Sequence, residues 1–228
     1  MFLSVFDLFK IGIGPSSSHT MGPMVAAERF LREIAEGEWP RPAGAHVEHL
    51  TVSLHGSLAF TGVGHATDRA VILGLQGLTP LTVDPDKVDA VLAAVKDTQR
   101  LAPPGHPEYR FDADKDLVFD RRAPLPGHAN GMAFNAFDGE DRLLLRRIYY
   151  SMGGGFVASE EELQALKAKT TPAVGDDVPY PFASAREMLE MAAASGLSIA
   201  ELKRANELAH KSAEELDAGL DAIWAAMR

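Results

Sequence analysis

The sequence predicts an α/β fold of the α+β type, with one mixed-sheet domain covered by helices and then an all-helical segment. Segments with alternating apolar residues, typical of half-buried strands, mix with helical patterns up to about residue 158. After residue 178 the patterns are helical. We therefore predict an α/β domain at 1–158, a short helix and linker at 159–178, and the start of a helical domain at 179–228.

The first domain opens with a helix that begins at Gly22-Pro23, because proline suits the first helical position. Alternating apolar residues at 50–54 then predict a strand that ends at Gly56. The later predicted elements are a helix from Thr67, a helix opened by Asp84-Pro85, short strands at 109–111 and 117–119, and a hairpin of 132–136 and 143–149 around Asp138-Gly139.

Helix-start signals dominate the remainder of the chain. The capping-box spacing of serine and glutamate occurs at Ser159/Glu162, Ser184/Glu187, Ser198/Glu201 and Ser212/Glu215. The stretch 170–177, rich in Thr, Pro, Gly and Asp, predicts a linker. The last apolar stripe still runs at Arg228, so we expect a chain truncated within a larger helical domain. A terminal helix docked on its own domain is the alternative.

Composition and charge argue against several classes of function. The 228 residues are 46% hydrophobic and carry a net charge of −10 that no Lys/Arg run offsets, which argues against a nucleic-acid partner. No apolar run is long enough to cross a bilayer, and the first residues lack a signal-peptide pattern. We therefore expect a cytoplasmic protein with no membrane partner. Cysteine is absent, which excludes disulfides.

The segment Gly14-Pro15-Ser16-Ser17-Ser18-His19-Thr20 places four hydroxyls and an imidazole directly ahead of a helix start. Helix amino termini favour anions, because their N–H groups are unpaired and the helix dipole is positive there. The glycine spacing matches neither a P-loop nor a Rossmann fingerprint, so a small carboxylate or other anion suits the segment better than a nucleotide. A serine-rich turn that merely caps the helix is the alternative.

Five blocks of the sequence together resemble one known family. The first block, 12–23, resembles the amino-terminal signature of the iron–sulfur type of L-serine dehydratase, also called L-serine ammonia-lyase. The other four follow in the family's order: His55 to Asp68, Gly127 to Met132, Tyr149 to Phe156, and Val178 to Phe182. The resemblance thus covers nearly the whole chain, and it implies the family's amino-terminal (beta) domain followed by the start of its helical catalytic (alpha) domain.

The resemblance implies a [4Fe-4S] cluster held by cysteine thiolates, whereas this chain has no cysteine. We therefore expect that the chain does not ligate the cluster and holds no metal. In the family the cysteines belong to a later helical domain. The resemblance accordingly implies a carboxy-terminal, cluster-binding domain as partner and L-serine as substrate, and we expect a homo-oligomer.

The reaction that the resemblance implies is α,β-elimination of L-serine to pyruvate and ammonia. It needs a base for the weakly acidic α-proton, and histidine suits that role because its pKa lies near working pH. His65, in a glycine-rich loop after a strand, is the first candidate for base or proton donor. His128 is the second, with Asn130 as a hydrogen-bond partner of the substrate. His19 is a substrate-binding residue or a helix cap, and for all three an ordinary surface histidine is the alternative.

A further binding element is predicted where Ser151 precedes three successive glycines, which can present backbone N–H groups as an anion nest. A flexible turn that ends a strand is the alternative. The predicted substrate-binding residues are therefore Ser16, Ser17, Ser18, His19, Thr20, Asn130, Ser151, Gly153 and Gly154. The remaining histidines with no matching context are predicted to be solvated: His46, His49, His106 and His210.

Two functions of different classes remain open from the sequence. The first is the amino-terminal, substrate-binding part of an iron–sulfur L-serine ammonia-lyase, inactive on its own. The second is a noncatalytic amino-acid-binding or regulatory α/β module. A hydroxyl-nucleophile hydrolase is a weaker hypothesis, because no Gly-x-Ser-x-Gly elbow is present. The lyase hypothesis predicts that His65, His128 and the segment 16–20 converge on one surface.

Overall fold

The structure is a computed structural model that describes residues 2–168 and 177–228. Its helices are α1 (Val5–Leu8), α2 (Gly22–Glu36), α3 (Ser57–Thr61), α4 (Thr67–Leu75), α5 (Val88–Thr98), α6 (Glu160–Ala168), α7 (Ala185–Ser195), α8 (Ile199–Glu207) and α9 (Ala213–Met227). Its strands are β1 (His49–Gly56), β2 (Arg100–Leu101), β3 (Tyr109–Arg110), β4 (Leu117–Asp120), β5 (Asn130–Phe137), β6 (Leu143–Gly153) and β7 (Phe156–Ser159).

The chain divides into two compact units. One is formed by Gly12–Ala168 and is called the α/β unit below. The other joins Met1–Ile11 to Lys169–Arg228 and is called the helical unit. This division differs from the predicted boundaries, since α6 groups with the α/β unit and the first eleven residues with the helical unit. The assignment of evolutionary domains at 1–158 and 179–228 stays a prediction.

The α/β unit is built on a seven-stranded mixed sheet in which six strands follow the order β2-β3-β1-β5-β6-β7 and the seventh, β4, pairs with β1 off this path. Strands β3 and β4 both run parallel to β1, on the side away from β5. Strands β5 and β6 continue the sheet as an antiparallel hairpin. The register places Gly56 opposite Asn130 and Gly131 opposite Tyr150. The end of β1, the start of β5 and the end of β6 therefore lie side by side.

The core of the α/β unit lies between helix α2 and the sheet. Strand β1 buries every second residue from Leu50 to Leu54, which is the alternation expected of a strand with one buried face. Phe30 of α2 packs on Phe134 of β5 with ring centroids 5.3 Å apart, and Phe134 packs on Tyr149 of β6 at 5.7 Å. These fully buried rings fix α2, and hence its first turn, against the central strands.

The helical unit is organised around a buried carboxylate. Glu207, near the end of α8, accepts hydrogen bonds from the Ser4 hydroxyl at 2.7 Å and from the Val5 N–H at 2.6 Å. It thereby caps α1, whose first N–H groups have no partner within the helix. In α8, the Asn206 side chain exchanges two hydrogen bonds with the backbone of Tyr180, each 2.8 Å long. Polar contacts therefore tie both flanking segments to α8.

The predicted fold class is confirmed, with a mixed sheet and covering helices followed by helices alone. The strand ending at Gly56, the helix from Thr67 and the hairpin were predicted from local patterns and are present. Four short elements were missed: α1, α3, β2 and β7. The predicted linker lies outside the described residues except for Asp177.

The helix start predicted at Gly22-Pro23 is confirmed for α2. A π-helical turn, Ser17–Met21, capped by Ser16, was not predicted and extends the helical structure ahead of it. One predicted capping box needs correction. The capping box at Ser184 forms only half, since the Glu187 carboxylate accepts the N–H of the preceding alanine instead of that of Ser184. The boxes at Ser159, Ser198 and Ser212 form as predicted.

Candidate active site

The serine-rich segment forms the turn that leads into α2. The Ser16 hydroxyl accepts the His19 N–H at 3.1 Å, and the Ser16 carbonyl accepts the N–H groups of Thr20 and Met21. π-helical turns are rare and occur frequently at functional sites. The predicted hydroxyl cluster is therefore itself the first helical turn, which brings the side chains of 17–20 close to the chain segments around it.

The His19 ring is held at both nitrogens by hydroxyl groups. Its Nδ1 lies 2.9 Å from Ser18 Oγ, and its Nε2 lies 3.0 Å from Ser57 Oγ. The ring of His65 packs beside it, with centroids 4.9 Å apart. Burial, and secondarily the nearby His65, hold the pKa of His19 below its ordinary value. The neutral ring is therefore favoured, and one hydroxyl donates to it while the other accepts from it.

The His65 ring lies in the turn between α3 and α4. Its Nδ1 is 2.9 Å from the carbonyl oxygen of Thr61. A carbonyl only accepts hydrogen bonds, so Nδ1 carries the proton and a neutral His65 leaves the lone pair on Nε2. The Thr20 hydroxyl donates to the His65 carbonyl at 2.8 Å, which ties this turn to the serine-rich turn. His65 thus has the tautomer that a general base acting through Nε2 requires.

His128 adopts the opposite tautomer. Its Nδ1 accepts the backbone N–H of Asn130 at 3.1 Å, so a neutral His128 carries its proton on Nε2. The buried Asn130 side chain donates from Nδ2 to the Ser151 carbonyl at 3.1 Å and so joins the start of β5 to the end of β6. His128 therefore presents an N–H donor where His65 presents a lone pair.

Ser151 is fully buried, and within the described residues its hydroxyl has no hydrogen-bond partner. It packs on Gly22 so closely that a Cβ at Gly22 would lie 2.0 Å from Ser151 Oγ. Leaving a buried polar group unpaired costs about 1–3 kcal/mol. An unpaired buried polar group in a folded protein therefore needs an explanation. Because Ser151 lies beside the serine-rich turn, a role in ligand binding is one such explanation.

The glycines that follow β6 reach the same turn. Gly153 and Gly154 have φ values of 90° and 60°, in the left-handed region that side chains disfavour. The Gly154 N–H donates to Ser17 Oγ at 3.2 Å. This backbone N–H is thus directed at a serine of the protein itself, and the predicted anion nest is partly closed by that serine.

The predicted site residues converge at one end of the sheet. Direct contacts join the serine-rich turn to His65 and to Gly154. The Ser57 N–H donates to the Ala129 carbonyl at 2.8 Å, which brings the segment 128–130 alongside. Gly56 makes this approach possible, because a Cβ there would lie 2.3 Å from the Ala129 oxygen. His128 joins the cluster through this backbone contact, whereas His19 and His65 meet ring to ring.

Two residues of this cluster were not among the predicted site residues. Ser57 contacts the His19 ring, and the buried Thr67 donates from its hydroxyl to the His19 carbonyl. Both belong to the block from His55 to Asp68 that carries the family resemblance. The sequence feature that could have indicated these two residues is a hydroxyl side chain within a glycine-rich block that follows a strand. Their partner lies more than thirty-five residues earlier, with separations of 38 and 48 positions, so no local pattern indicated it.

The prediction that the remaining histidines are solvated was wrong for His49. Its side chain is 15% exposed, and its ring nitrogens each lie 3.0 Å from a carboxylate, of Asp116 and of Asp141. His46 is exposed. His210 is also exposed and lies beside Asp177, and His106 is partly exposed beside Tyr109.

Across residues 2–168 and 177–228, no group of three His, Asp or Glu side chains is placed to hold a metal ion. The full sequence contains no cysteine, and a four-iron cluster needs thiolate ligands. The residues of this chain therefore do not fit such a cluster. Over the same described ranges, none of the helices has the length and apolar character to cross a membrane.

Comparison with known proteins matches this chain to one family. The family described as serine dehydratase beta chain matches residues 4–162. The chain is 44% identical, over 100% of its length, to an L-serine dehydratase of Streptomyces coelicolor, of which it covers 49%. It is 43% identical over 99% of its length to L-serine dehydratase TdcG of Escherichia coli, of which it covers 47%. The chain thus spans about half the length of the curated relatives it matches.

Proposed function

The chain belongs to the serine dehydratase beta-chain family, and on that premise we propose that it is the amino-terminal part of an L-serine ammonia-lyase. The resemblance read from the five sequence blocks is confirmed at the level of the family. One observation supports the activity most: the serine-rich turn, His65 and the segment of His128 meet at one end of the sheet.

The proposed reaction removes the α-proton and the β-hydroxyl of L-serine as one water. The aminoacrylate that remains tautomerises and hydrolyses, with one water consumed, to pyruvate and ammonia. His65 is the candidate base, because its Nδ1 is bonded to a carbonyl and its Nε2 lone pair is left to take the α-proton. His128 offers an Nε2–H and acts as a hydrogen-bond donor to a substrate oxygen, since its Nδ1 is occupied by a backbone N–H.

The substrate carboxylate is proposed to bind at the serine-rich turn. The first N–H groups of a helix have no partner within that helix, and the dipole there favours an anion. The hydroxyls of Ser17 and Ser18 lie on this turn, and Ser151 and Gly154 approach it from the end of β6. Thr20 is buried with its hydroxyl on the His65 carbonyl, so it orders the site and does not face a substrate.

We propose that the [4Fe-4S] cluster of the complete enzyme is held by a cysteine-bearing, carboxy-terminal domain outside this sequence. Exposed apolar side chains on the helical unit support such a partner, because a domain that covered them would remove their apolar surface from water. Leu189, Trp224 and Met227 are 59%, 59% and 67% exposed. The homo-oligomer and the cytoplasmic location stay predictions.

The first experiment mixes this chain, without oxygen, with the separately expressed carboxy-terminal half of the Streptomyces coelicolor relative. Pyruvate formation from L-serine is then measured, with each piece alone as control. Pyruvate from the mixture only is the expected result. Binding of L-serine to this chain by NMR, with no pyruvate despite an intact cluster and demonstrated association, would instead favour a noncatalytic amino-acid-binding module.

Variants of the two histidines test the assigned roles in the active mixture. His65→Gln and His128→Gln are each expected to lower kcat by about 10²–10⁴-fold, the range typical of lost acid–base or oxyanion contacts. His46→Gln is the control, because His46 is exposed and outside the cluster. Near-normal turnover in both variants would show that neither histidine acts on the substrate.

A further inference from the structure

We infer that Ser57 is a positioning residue that holds the rings of His19 and His65 in their paired arrangement. The inference deepens the proposed function and rests on it. Ser57 occupies the first position of α3, directly after β1, and its hydroxyl lies 3.0 Å from His19 Nε2. It touches neither the His65 lone pair nor the predicted carboxylate site, so its influence passes through His19.

The backbone around Ser57 gives its hydroxyl a defined place. The Ser57 N–H donates to the Ala129 carbonyl at 2.8 Å, and the Ser57 carbonyl accepts the Thr61 hydroxyl at 2.8 Å. On one side Gly56 has φ 58°, and on the other the Leu58 side chain is fully buried. The short helix cannot move without breaking these contacts, so the hydroxyl is a rigid support for the ring that it contacts.

The same short helix anchors both imidazoles. At its start, Ser57 bonds Nε2 of His19, and at its end the Thr61 carbonyl bonds Nδ1 of His65. The rings pack against each other between these two anchors, with centroids 4.9 Å apart and planes 41° apart. Helix α3 therefore sets the separation of the two rings.

A second hydrogen bond decides the orientation of the His19 ring. With Ser18 alone at Nδ1, the ring is held at one point and can turn about that contact. With Ser57 at Nε2, the ring is held at two opposite points and its plane is fixed. His19 then presents a constant face to His65, which keeps the His65 Nε2 lone pair aimed in one direction. Loss of that alignment lowers the rate of the chemical step more than it weakens substrate binding.

The structure offers a matched control for the loss of a serine–histidine hydrogen bond. Ser53, four residues earlier on β1, contacts Nε2 of His55 with its hydroxyl at 2.9 Å. This contact has the same atoms and nearly the same length as that of Ser57. Ser53→Ala therefore reports what a lost bond of this kind does outside the cluster.

The first test uses NMR on the isotope-labelled 228-residue chain. In Ser57→Ala we expect the ring-to-ring nuclear Overhauser effects between His19 and His65 to be lost and the His19 imidazole ¹⁵N shifts to move. Ser57→Thr, which retains the hydroxyl, and Ser53→Ala are expected to keep both signatures. If Ser57→Ala does not fold, Ser57→Cys replaces it, since a thiol bonds weakly. Unchanged Overhauser effects and ¹⁵N shifts in a folded variant would overturn the inference.

The second test uses kcat and KM of the active mixture. Ser57→Ala is expected to lower kcat about tenfold with KM changed less than about twofold, and Ser57→Thr to restore most of the loss. An equal kcat for Ser57→Ala and the unaltered chain would contradict the positioning role. If the unaltered mixture forms no pyruvate despite an intact cluster and demonstrated association, the proposed function has failed, and the NMR result still decides whether Ser57 holds the rings.

Discussion

In the α/β unit, side chains from α2, β1, β5 and β6 meet in one large buried cluster, whereas the helical unit has no comparable cluster among its described residues. There, the buried hydrophobic side chains of the described part are those of Val178, Leu202 and Leu216. The buried Glu207 carboxylate and the Asn206 amide supply the links between its segments. One unit is held mainly by apolar packing and the other by a few directional polar contacts.

The difference has a physical origin. A sheet presents one continuous apolar face, and helices such as α2 and α4 cover it and share its buried cluster. The helices α7, α8 and α9 each have one apolar stripe, and further elements are needed to bury all of the stripes. The candidate active site lies on the well-packed unit, as precise chemistry requires.

The largest predicted effect compares two fully buried leucines. Leu54→Ala removes a side chain from the large cluster and is expected to destabilise the α/β unit by about 3–5 kcal/mol. Leu202→Ala in α8 is expected to cost about 2 kcal/mol, the low end of the range for such changes, because few buried apolar side chains of its unit surround it. Hydrogen exchange resolved by segment measures both. Equal losses would show that the helical unit is packed as tightly as the α/β unit.

A smaller effect is predicted for the polar anchor of the helical unit. Glu207→Ala leaves the Ser4 hydroxyl and the Val5 N–H without their acceptor and is expected to cost about 1–3 kcal/mol. The measurement is backbone hydrogen exchange, which we expect to be faster at residues 2–9 in this variant. Glu190→Ala, at an exposed position of α7, is the control and should change stability by less than about 0.5 kcal/mol. Unchanged protection of 2–9 would show that this segment is held by other contacts.

A weaker, pH-dependent effect is predicted for the α/β unit. The folded state keeps the pKa of His19 below its ordinary value, so the unfolded chain binds more protons as pH falls. His19 therefore contributes stability above about pH 6.5 that is lost as pH falls through its folded pKa. The free energy of unfolding is measured with urea at several pH values between 5 and 8. It should depend less steeply on pH in His19→Gln than in the exposed control His46→Gln. Identical slopes would mean that His19 titrates as it does in an unfolded chain.

The smallest effect on stability is predicted for Trp224, which is 59% exposed in α9. Trp224→Ala should change the unfolding free energy of this chain by less than about 0.5 kcal/mol. It should weaken association with the carboxy-terminal half of the relative by about tenfold or more, because exposed aromatic residues often carry binding energy. Titration calorimetry measures this, with the exposed Asp221→Ala as control. Undiminished association would place the partner on another surface.

Much of the fold was predicted because its determinants are local. The capping boxes at Ser198 and Ser212 form from residues three positions apart, and the hairpin around Asp138 forms from adjacent strands. The π-helical turn at Ser17–Met21 was missed, since its hydroxyl-bearing residues also suit a loop. His49 was taken as solvated because its carboxylate partners are 67 and 92 positions away.

The fold class, the family and the candidate residues could be predicted before the structure, because periodicity, capping signals and the order of the five blocks all lie along the chain. Only the folded structure showed which nitrogen of His65 and of His128 carries the proton, through partners four and two residues away, and only its tertiary packing brings Ser57 to His19. Proton positions depend on the hydrogen-bond partner of each ring nitrogen. For His19 that partner lies 38 residues away, where only the pairing of strands and the packing of α2 bring it near.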